Sequence, residues 1–228
     1  MDWARAKGID IIVCDHHEPG DELPDAIVLN PKQINCQYPF KELCGCGVGF
    51  KLIQGFHQQN YDDPTEIYGL LDFVAIATGA DIVSVLDENR IFTHYGLKLL
   101  NENTRPNFQK LLDIAGKKKP LTLTDVVFTI APRINAAGRI NVGSDSVELM
   151  ISNDETKIQE FANNINAHNT ERRDLDEIIT KEALEMLEQS ALSGGSESKR
   201  TTVVYKDGWS KGVVGIVASR LIDRFLLD

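Results

Sequence analysis

The stretch from Glu155 to Gln189 constrains the fold more than any other part of the chain, because it contains neither proline nor glycine. Apolar residues such as Ile158, Phe161 and Ile165 recur along it in steps of three or four, the spacing of one face of a helix. At about 1.5 Å per residue such a helix reaches about 50 Å. We therefore expect a long helix that connects two domains.

The segments on either side of this helix differ in pattern. The part before it alternates short apolar strands, at 9–13 and 25–31, with apolar helices at 47–59, 66–80 and 89–101, an order typical of a layered α/β domain with a parallel sheet. The strand at 9–13 does not alternate with polar residues, which predicts burial on both faces. After the helix, the linker "SGGSES" at 193–198 precedes a strand, a glycine-rich turn and a helix. The prediction is an α/β domain over 1–150, an interdomain helix over 151–192, and the truncated beginning of a second α/β domain over 199–228.

Composition excludes several classes of protein. The net charge of −10 argues against a broadly basic nucleic-acid-binding surface. No apolar run approaches the roughly 20 residues of a membrane span, and no signal peptide is visible, so we expect a cytoplasmic protein. The cysteines do not have disulfide-framework spacing. The pair Cys44 and Cys46 is either a metal-ligand pair or a reduced, buried pair near a helix start.

The residues with the clearest chemical character are Asp15, His16 and His17, which directly follow the first strand. Ligands of open α/β sheets bind at the carboxyl ends of strands. Adjacent side chains on an extended segment point in opposite directions, so one histidine is expected to bind a metal and the other to face a substrate oxygen. Asp15 would hold an imidazole in the required tautomer. The alternative is a polar loop with one capped histidine.

Asp81 lies between two apolar runs, in "GADIVSV". A carboxylate in such surroundings needs a partner, and it is either a helix or turn cap or a metal ligand. Arg133, Asn135 and Arg139 stand among small residues in "APRINAAGRI", where arginine forks suit phosphate or form salt bridges in a structural loop.

The apolar face of the long helix is interrupted by His168 and Arg172. These residues face either a cleft between domains or another helix. The "DLD" sequence of Asp174 and Asp176 imitates a metal-binding motif. Because residues i and i+2 of a helix do not share a face, we expect solvent-facing charges there.

Several stretches together resemble the DHH phosphoesterase superfamily, and within it the RecJ branch of single-stranded-DNA-specific exonucleases. They are "VCDHHEP", "YPFKELCGCGVGFKLIQ", "ATGADIVSVLDENR", "APRINAAGRINVGSDSVELM", "INAHNTERRDLDEIITKEAL" and "GWSKGVVGIVASRL". This resemblance implies a hydrolase that uses two Mn²⁺ or Mg²⁺ ions to degrade single-stranded DNA from the 5′ end, in repair and recombination. It also implies a monomer whose partners are a single-strand-binding protein or a helicase.

The resemblance also implies a role for each candidate residue. Asp15, His16, His17 and Asp81 would form the catalytic group, with His16 and Asp81 as metal ligands and His17 on the scissile phosphate. The nucleic-acid path would be lined by Arg133, Asn135, Arg139, His168 and Arg172. The aspartate motifs that the family carries upstream of Asp-His-His are absent here, so we expect an incomplete metal site and an inactive chain. The alternatives are a phosphodiesterase of short oligonucleotides or cyclic dinucleotides, a pyrophosphatase, and a non-catalytic scaffold.

Overall fold

The apolar stretches that predict helices form helices in the structure, a computed structural model that describes residues 1–140, 143–192 and 201–225. Helices predominate, and the sheet of the described residues consists of two short strands. The elements are α1 (Asp2–Ala6), β1 (Ile12–Cys14), β2 (Ile27–Leu29), α2 (Gly45–Asn60), a 3₁₀ turn (Glu66–Leu70), α3 (Leu71–Ala80), α4 (Asp87–Glu102), α5 (Pro106–Ile114), α6 (Leu123–Asp125), a π-helical turn (Val126–Ile130), α7 (Ala131–Ile140), α8 (Ser144–Ile151), α9 (Glu155–Leu192) and α10 (Val214–Phe225).

The chain divides into two compact units, Met1–Pro132 and Arg133–Asp228. The predicted α/β class is confirmed, because β1 and β2 pair in parallel. The domain bounds inferred from the sequence remain a proposal, and the predicted linker at 193–198 lies outside the described residues. Among the described residues, no helix combines the length and the apolar character that crossing a bilayer requires.

The core of the first unit forms where α2, α3 and α4 meet. Helix α3 is apolar on all sides and is mostly buried, as expected for a helix inside a domain. Gly96 of α4 lies directly against the backbone of α3 at Leu71. The buried cluster comprises Leu43, Val48, Phe50, Ile67, Leu71, Val74 and Phe92.

The second unit is organised around α9, whose observed bounds confirm the predicted long helix. One face of α9 packs against α10 and the segment before it, through Ile179, Ala183, Val213 and Val217. Trp209 donates a hydrogen bond from Nε1 to Glu182 at 2.7 Å, which fixes the turn before α10 to α9.

Two expectations about local structure were wrong, and one alternative that the sequence left open is excluded. The first strand is shorter than predicted and is not buried on both faces, since Ile9 and Ile12 are about half exposed. The predicted strand near residue 203 does not form, because the described residues offer it no strand with which to pair. The stretch "APRINAAGRI" is helix α7 rather than a loop, since its small residues are compatible with a helix on which Ala136 and Ala137 are fully buried.

Candidate active site

The Asp-His-His segment lies at the carboxyl ends of the paired strands. Cys14 pairs with Leu29 in parallel register, and Asp15 continues the pairing by donating its backbone N–H to the carbonyl of Leu29 at 3.0 Å. The buried Asn30 then donates from Nδ2 to the carbonyl of His17 at 2.8 Å. Asn30 was not among the predicted site residues, although an asparagine directly after a strand is a signal for such a role.

The carboxylate of Asp15 folds this segment back on itself. One oxygen, Oδ1, accepts hydrogen bonds from the backbone N–H of His16 at 2.8 Å and of His17 at 3.3 Å. The same oxygen lies 2.7 Å from Nδ1 of His17. The hydrogen bond from His17 is the main cause that lowers the pKa of Asp15. A charged Asp15 favours the tautomer of His17 with its proton on Nδ1, which makes Nε2 of this exposed imidazole a hydrogen-bond acceptor.

His16 meets Asp81 from a distant part of the chain. Its ring lies beside that of His17, with centroids 4.4 Å apart, so the expectation that the two side chains point in opposite directions was wrong. Nε2 of His16 lies 3.6 Å from Oδ2 of Asp81. The ring rests against the start of α2, where a Cβ at Gly45 would stand 3.4 Å from Cδ2 of His16. The site therefore combines the loop after β1 with the start of α2 and with Asp81, which follows the last residue of α3.

Asp81 is the C-cap residue of α3. The sequence left open a cap or a ligand, and a C-cap is an unfavourable place for a carboxylate, because the helix dipole is negative at that end. A cation beside Asp81 would offset this repulsion. The cap position therefore supports the ligand interpretation rather than competing with it.

The separation of His16 and Asp81 is close to what two ligands of one divalent cation require. Ligands about 2.1 Å from Mg²⁺ in octahedral geometry lie about 3 Å apart when adjacent and about 4 Å apart when opposite. The observed 3.6 Å lies between these two separations, so a small movement of either side chain would let both bind the same ion. No group of three potential ligands was found among the described residues, so this pair fits part of a metal site and does not complete one.

The cysteines near the site do not supply the missing ligand. Cys44 is buried at the N-cap of α2, where its Sγ accepts a hydrogen bond from the backbone of Gly47 at 3.4 Å. Burial raises the pKa of the Cys44 thiol. Cys46 is exposed. The expected reduced, buried pair was therefore correct for Cys44 only.

The backbone next to Asp81 is strained. Ile82 has a φ of 53°, in the left-handed region that a β-branched residue rarely adopts. Its side chain is 84% exposed and contributes little burial in return. Strain of this kind is concentrated at functional sites.

We expect the substitution Ile82→Asn to stabilise the protein by about 1 kcal/mol, because asparagine tolerates the left-handed conformation. Urea unfolding measures the change. The matched control is Val85→Asn, at a position without positive φ, for which we expect a change within about 0.5 kcal/mol. A lower unfolding midpoint for the Ile82 variant would indicate that this side chain contributes packing instead.

The candidate nucleic-acid-binding residues belong to the second unit. Arg133 donates from Nε to Asn166 at 3.1 Å, and Arg139 donates from Nη1 to the carbonyl of Gly212 at 3.0 Å. The glycine-rich turn before α10 brings its backbone close to that of Arg139. A Cβ at Gly212 would stand 2.5 Å from the carbonyl oxygen of Arg139. Asn135 is exposed.

On α9, Arg172 donates from Nη2 to Asn169 at 3.4 Å, and His168 is partly buried. The prediction that both aspartates of the "DLD" sequence face solvent was correct for Asp174 and wrong for Asp176. Asp174 is exposed, but the side chain of Asp176 is 2% exposed. The signal was present in the sequence, because Asp176 follows Arg172 by four residues and precedes Ile179 by three, on the buried face of the helix.

Comparison with known proteins gives three kinds of match. Residues 1–78 match the DHH family, N-terminal domain. The single-stranded-DNA-specific exonuclease RecJ of Bacillus subtilis (strain 168) is 42% identical over 97% of this chain and 27% of its own length. RecJ of Escherichia coli (strain K12) is 37% identical over 99% of this chain and 41% of its own length.

Solved structures agree with the sequence matches. RecJ from Thermus thermophilus in complex with Mn²⁺ matches with a TM-score of 0.80 and 26% identity, over 97% of this chain and 32% of that one. An exonuclease RecJ bound to manganese matches with a TM-score of 0.81 and 27% identity, over 98% of this chain and 55% of that one. The chain thus spans between about a quarter and two-fifths of the curated relatives described here.

Proposed function

Since residues 1–78 match the DHH family, N-terminal domain, we propose that the chain belongs to this family and contributes to a metal-dependent exonuclease that hydrolyses the phosphodiester bonds of single-stranded DNA from the 5′ end. The observation that carries the proposal is the approach of His16 and Asp81 to 3.6 Å at the carboxyl ends of the parallel strands. The similarity to RecJ over 97% of the chain supports the substrate class.

The residues divide the chemistry between them. His16 and Asp81 would hold Mn²⁺ or Mg²⁺, for which carboxylate oxygens are suitable ligands. When bound, such an ion polarises a phosphoryl oxygen and lowers the pKa of a bound water. His17, oriented by Asp15 through Nδ1, presents Nε2 to an oxygen of the scissile phosphate. Asn30 keeps the backbone of His17 in place.

The second unit would bind the strand. Arg133, Arg139 and Arg172 provide guanidinium groups, which pair with phosphate oxygens in a bidentate geometry. Asn135 and His168 would add polar contacts along the same path. By resemblance to the family we also propose a cytoplasmic monomer that acts in DNA repair and recombination beside a single-strand-binding protein or a helicase.

A nuclease assay tests the proposal. We would replace the matching segment of the Bacillus subtilis relative by this chain and incubate the chimera with 5′-labelled DNA and Mn²⁺. The expected result is release of labelled mononucleotides from single strands and not from blunt duplexes. Because the described residues supply an incomplete ligand group, the 228-residue chain alone is expected to release none.

Other products would favour the alternatives. A chimera that cleaves dinucleotides and leaves longer strands intact would favour a short-oligonucleotide or cyclic-dinucleotide phosphodiesterase. Binding of the strand without metal-dependent cleavage would favour a scaffold. Release of nucleotides by the unmodified chain would show that the ligands described here suffice.

A further inference from the structure

The second unit gathers arginines from three helices, α7, α9 and α10, in a chain whose net charge is −10. Burial lowers the pKa of Arg172, the carboxylate of Asp176 opposes this effect, and neighbouring guanidinium groups lower the pKa further. Burial lowers the pKa of Arg133 as well, and Arg173 adds to the effect. We call this group the arginine cluster: Arg133, Arg139, Arg172, Arg173 and Arg220.

Asp176 is the carboxylate that joins two members of this cluster, Arg172 and Arg220. Its Oδ2 lies 2.9 Å from Nη2 of Arg220 on α10 and 3.9 Å from Nη1 of Arg172, one turn earlier on α9. Its side chain is 2% exposed. A carboxylate buried to this extent needs its charged partners, so Arg172 and Arg220 are constrained to lie on either side of it.

The ion pairs with Asp176 leave buried nitrogen atoms beside them without hydrogen-bond partners among the described residues. Nε of Arg172 is buried and has no hydrogen-bond partner among the described residues, and the same holds for Nδ1 of His168, one turn earlier. Two guanidinium groups, those of Arg172 and Arg220, share the single carboxylate of Asp176, so this carboxylate balances only one of their two positive charges. Buried donors without acceptors are costly, and an anionic ligand would satisfy them.

We infer that Asp176 is a positioning residue, which holds Arg172 and Arg220 in a fixed arrangement to receive phosphate groups of single-stranded DNA. The inference rests on the proposed function, because it takes the substrate to be a nucleic-acid strand. It adds Arg220 to the residues that contact the strand. It also means that the carboxylate of Asp176, although negatively charged, favours the binding of DNA.

The substitution Asp176→Asn distinguishes a positioning role from a simple effect of net charge, because the two predict opposite changes in DNA affinity. The substitution removes a negative charge beside the DNA-binding arginines, so charge counting predicts tighter binding. If Asp176 instead positions the arginines, their mutual repulsion separates them and binding weakens. Asp174→Asn is the matched control, because it removes the same charge from the same helix at an exposed position.

The measurement is fluorescence anisotropy of a labelled oligothymidylate with the 228-residue chain in EDTA, over a series of salt concentrations. We expect Asp176→Asn to weaken binding about thirtyfold or more, as expected for the loss of one partner of a buried charge pair. Its log–log salt slope should fall by about 1.4, the value for the loss of two phosphate contacts on a single strand. Asp174→Asn should bind as the wild type does, or slightly more tightly.

A second variant separates positioning from a folding defect. Arg220 is 56% exposed, so Arg220→Gln is expected to fold, which circular dichroism checks. Its salt slope should fall by about 0.7, the value for one lost phosphate contact. Lys157→Gln removes the same charge from an exposed position near the start of α9 and should leave the slope unchanged.

Each remaining outcome has a defined meaning. Tighter binding by folded Asp176→Asn, or an unchanged slope for Arg220→Gln, overturns the positioning role and leaves the proposed function intact. If Asp176→Asn does not fold, the salt dependence of DNA binding by Arg220→Gln alone decides whether the positioning role holds. If the wild-type chain binds no oligothymidylate at low salt, both the positioning role and the assignment of this unit to DNA binding are wrong.

Discussion

Gly96→Ala is expected to destabilise the protein by about 3 kcal/mol or more, at the upper end of the range for overpacked cores. A Cβ at this position would stand 2.1 Å from the carbonyl oxygen of Leu71 and 2.5 Å from the Cβ of Ala75. Both obstacles belong to α3 and neither is the end of a flexible side chain. The added methyl group therefore forces α3 and α4 apart.

The effect should extend to the candidate site, because α3 ends at Asp81. A displaced α3 moves this carboxylate relative to His16, which is held by the strands and by α2. We therefore expect Gly96→Ala to weaken any metal binding by the folded fraction as well as to lower the urea midpoint.

Gly55→Ala is the matched control for this substitution. Gly55 also lies inside a helix, α2, but a Cβ there would meet nothing within 4 Å. Alanine should stabilise that helix by about 0.5 to 1 kcal/mol, because glycine loses more backbone entropy on folding. If Gly96→Ala matched this gain, the close contact between α3 and α4 would be refuted.

Local signals in the sequence predicted the parts of the fold that local physics decides. The absence of proline and glycine from 155 to 189 predicted α9 because helix propensity and periodicity act over neighbouring residues. Likewise, Asp15, His16 and His17 were predicted to follow a strand because an apolar run ends there.

Long-range contacts account for what the sequence left open or predicted wrongly. The approach of Asp81 to His16 joins residues 65 positions apart, as their numbers show, and only the resemblance to a family brought them together. The burial of Asp176 depends on Arg220 of another helix. The strand predicted near residue 203 would have needed a pairing partner that no local pattern guarantees.

His16→Ala should remove both Mn²⁺ binding and nuclease activity in the chimera with the Bacillus subtilis relative. Loss of a ligand forfeits the several kcal/mol that a metal ion contributes to the transition state, so the rate should fall by about a thousandfold or more. Isothermal calorimetry measures the binding, and release of nucleotides from a 5′-labelled strand measures the rate.

The neighbouring histidine is expected to behave differently. His17 is paired with Asp15, and the imidazole that pairs with Asp81 is that of His16. His17→Ala should therefore retain Mn²⁺ binding and lose about a hundredfold in kcat, the typical effect of removing one group that stabilises transition-state charge. His94→Ala, at an exposed position on α4, is the control and should change neither quantity.

The contrast between adjacent residues makes the assignment specific. A general loss of structure in the loop would affect His16→Ala and His17→Ala alike, whereas the geometry predicts that only the former loses the metal. Equal Mn²⁺ affinity in both variants and the wild type would mean that His16 is not a ligand. Equal loss in both would mean that the metal depends on the conformation of the whole Asp-His-His segment, which Asp15 and Asn30 hold.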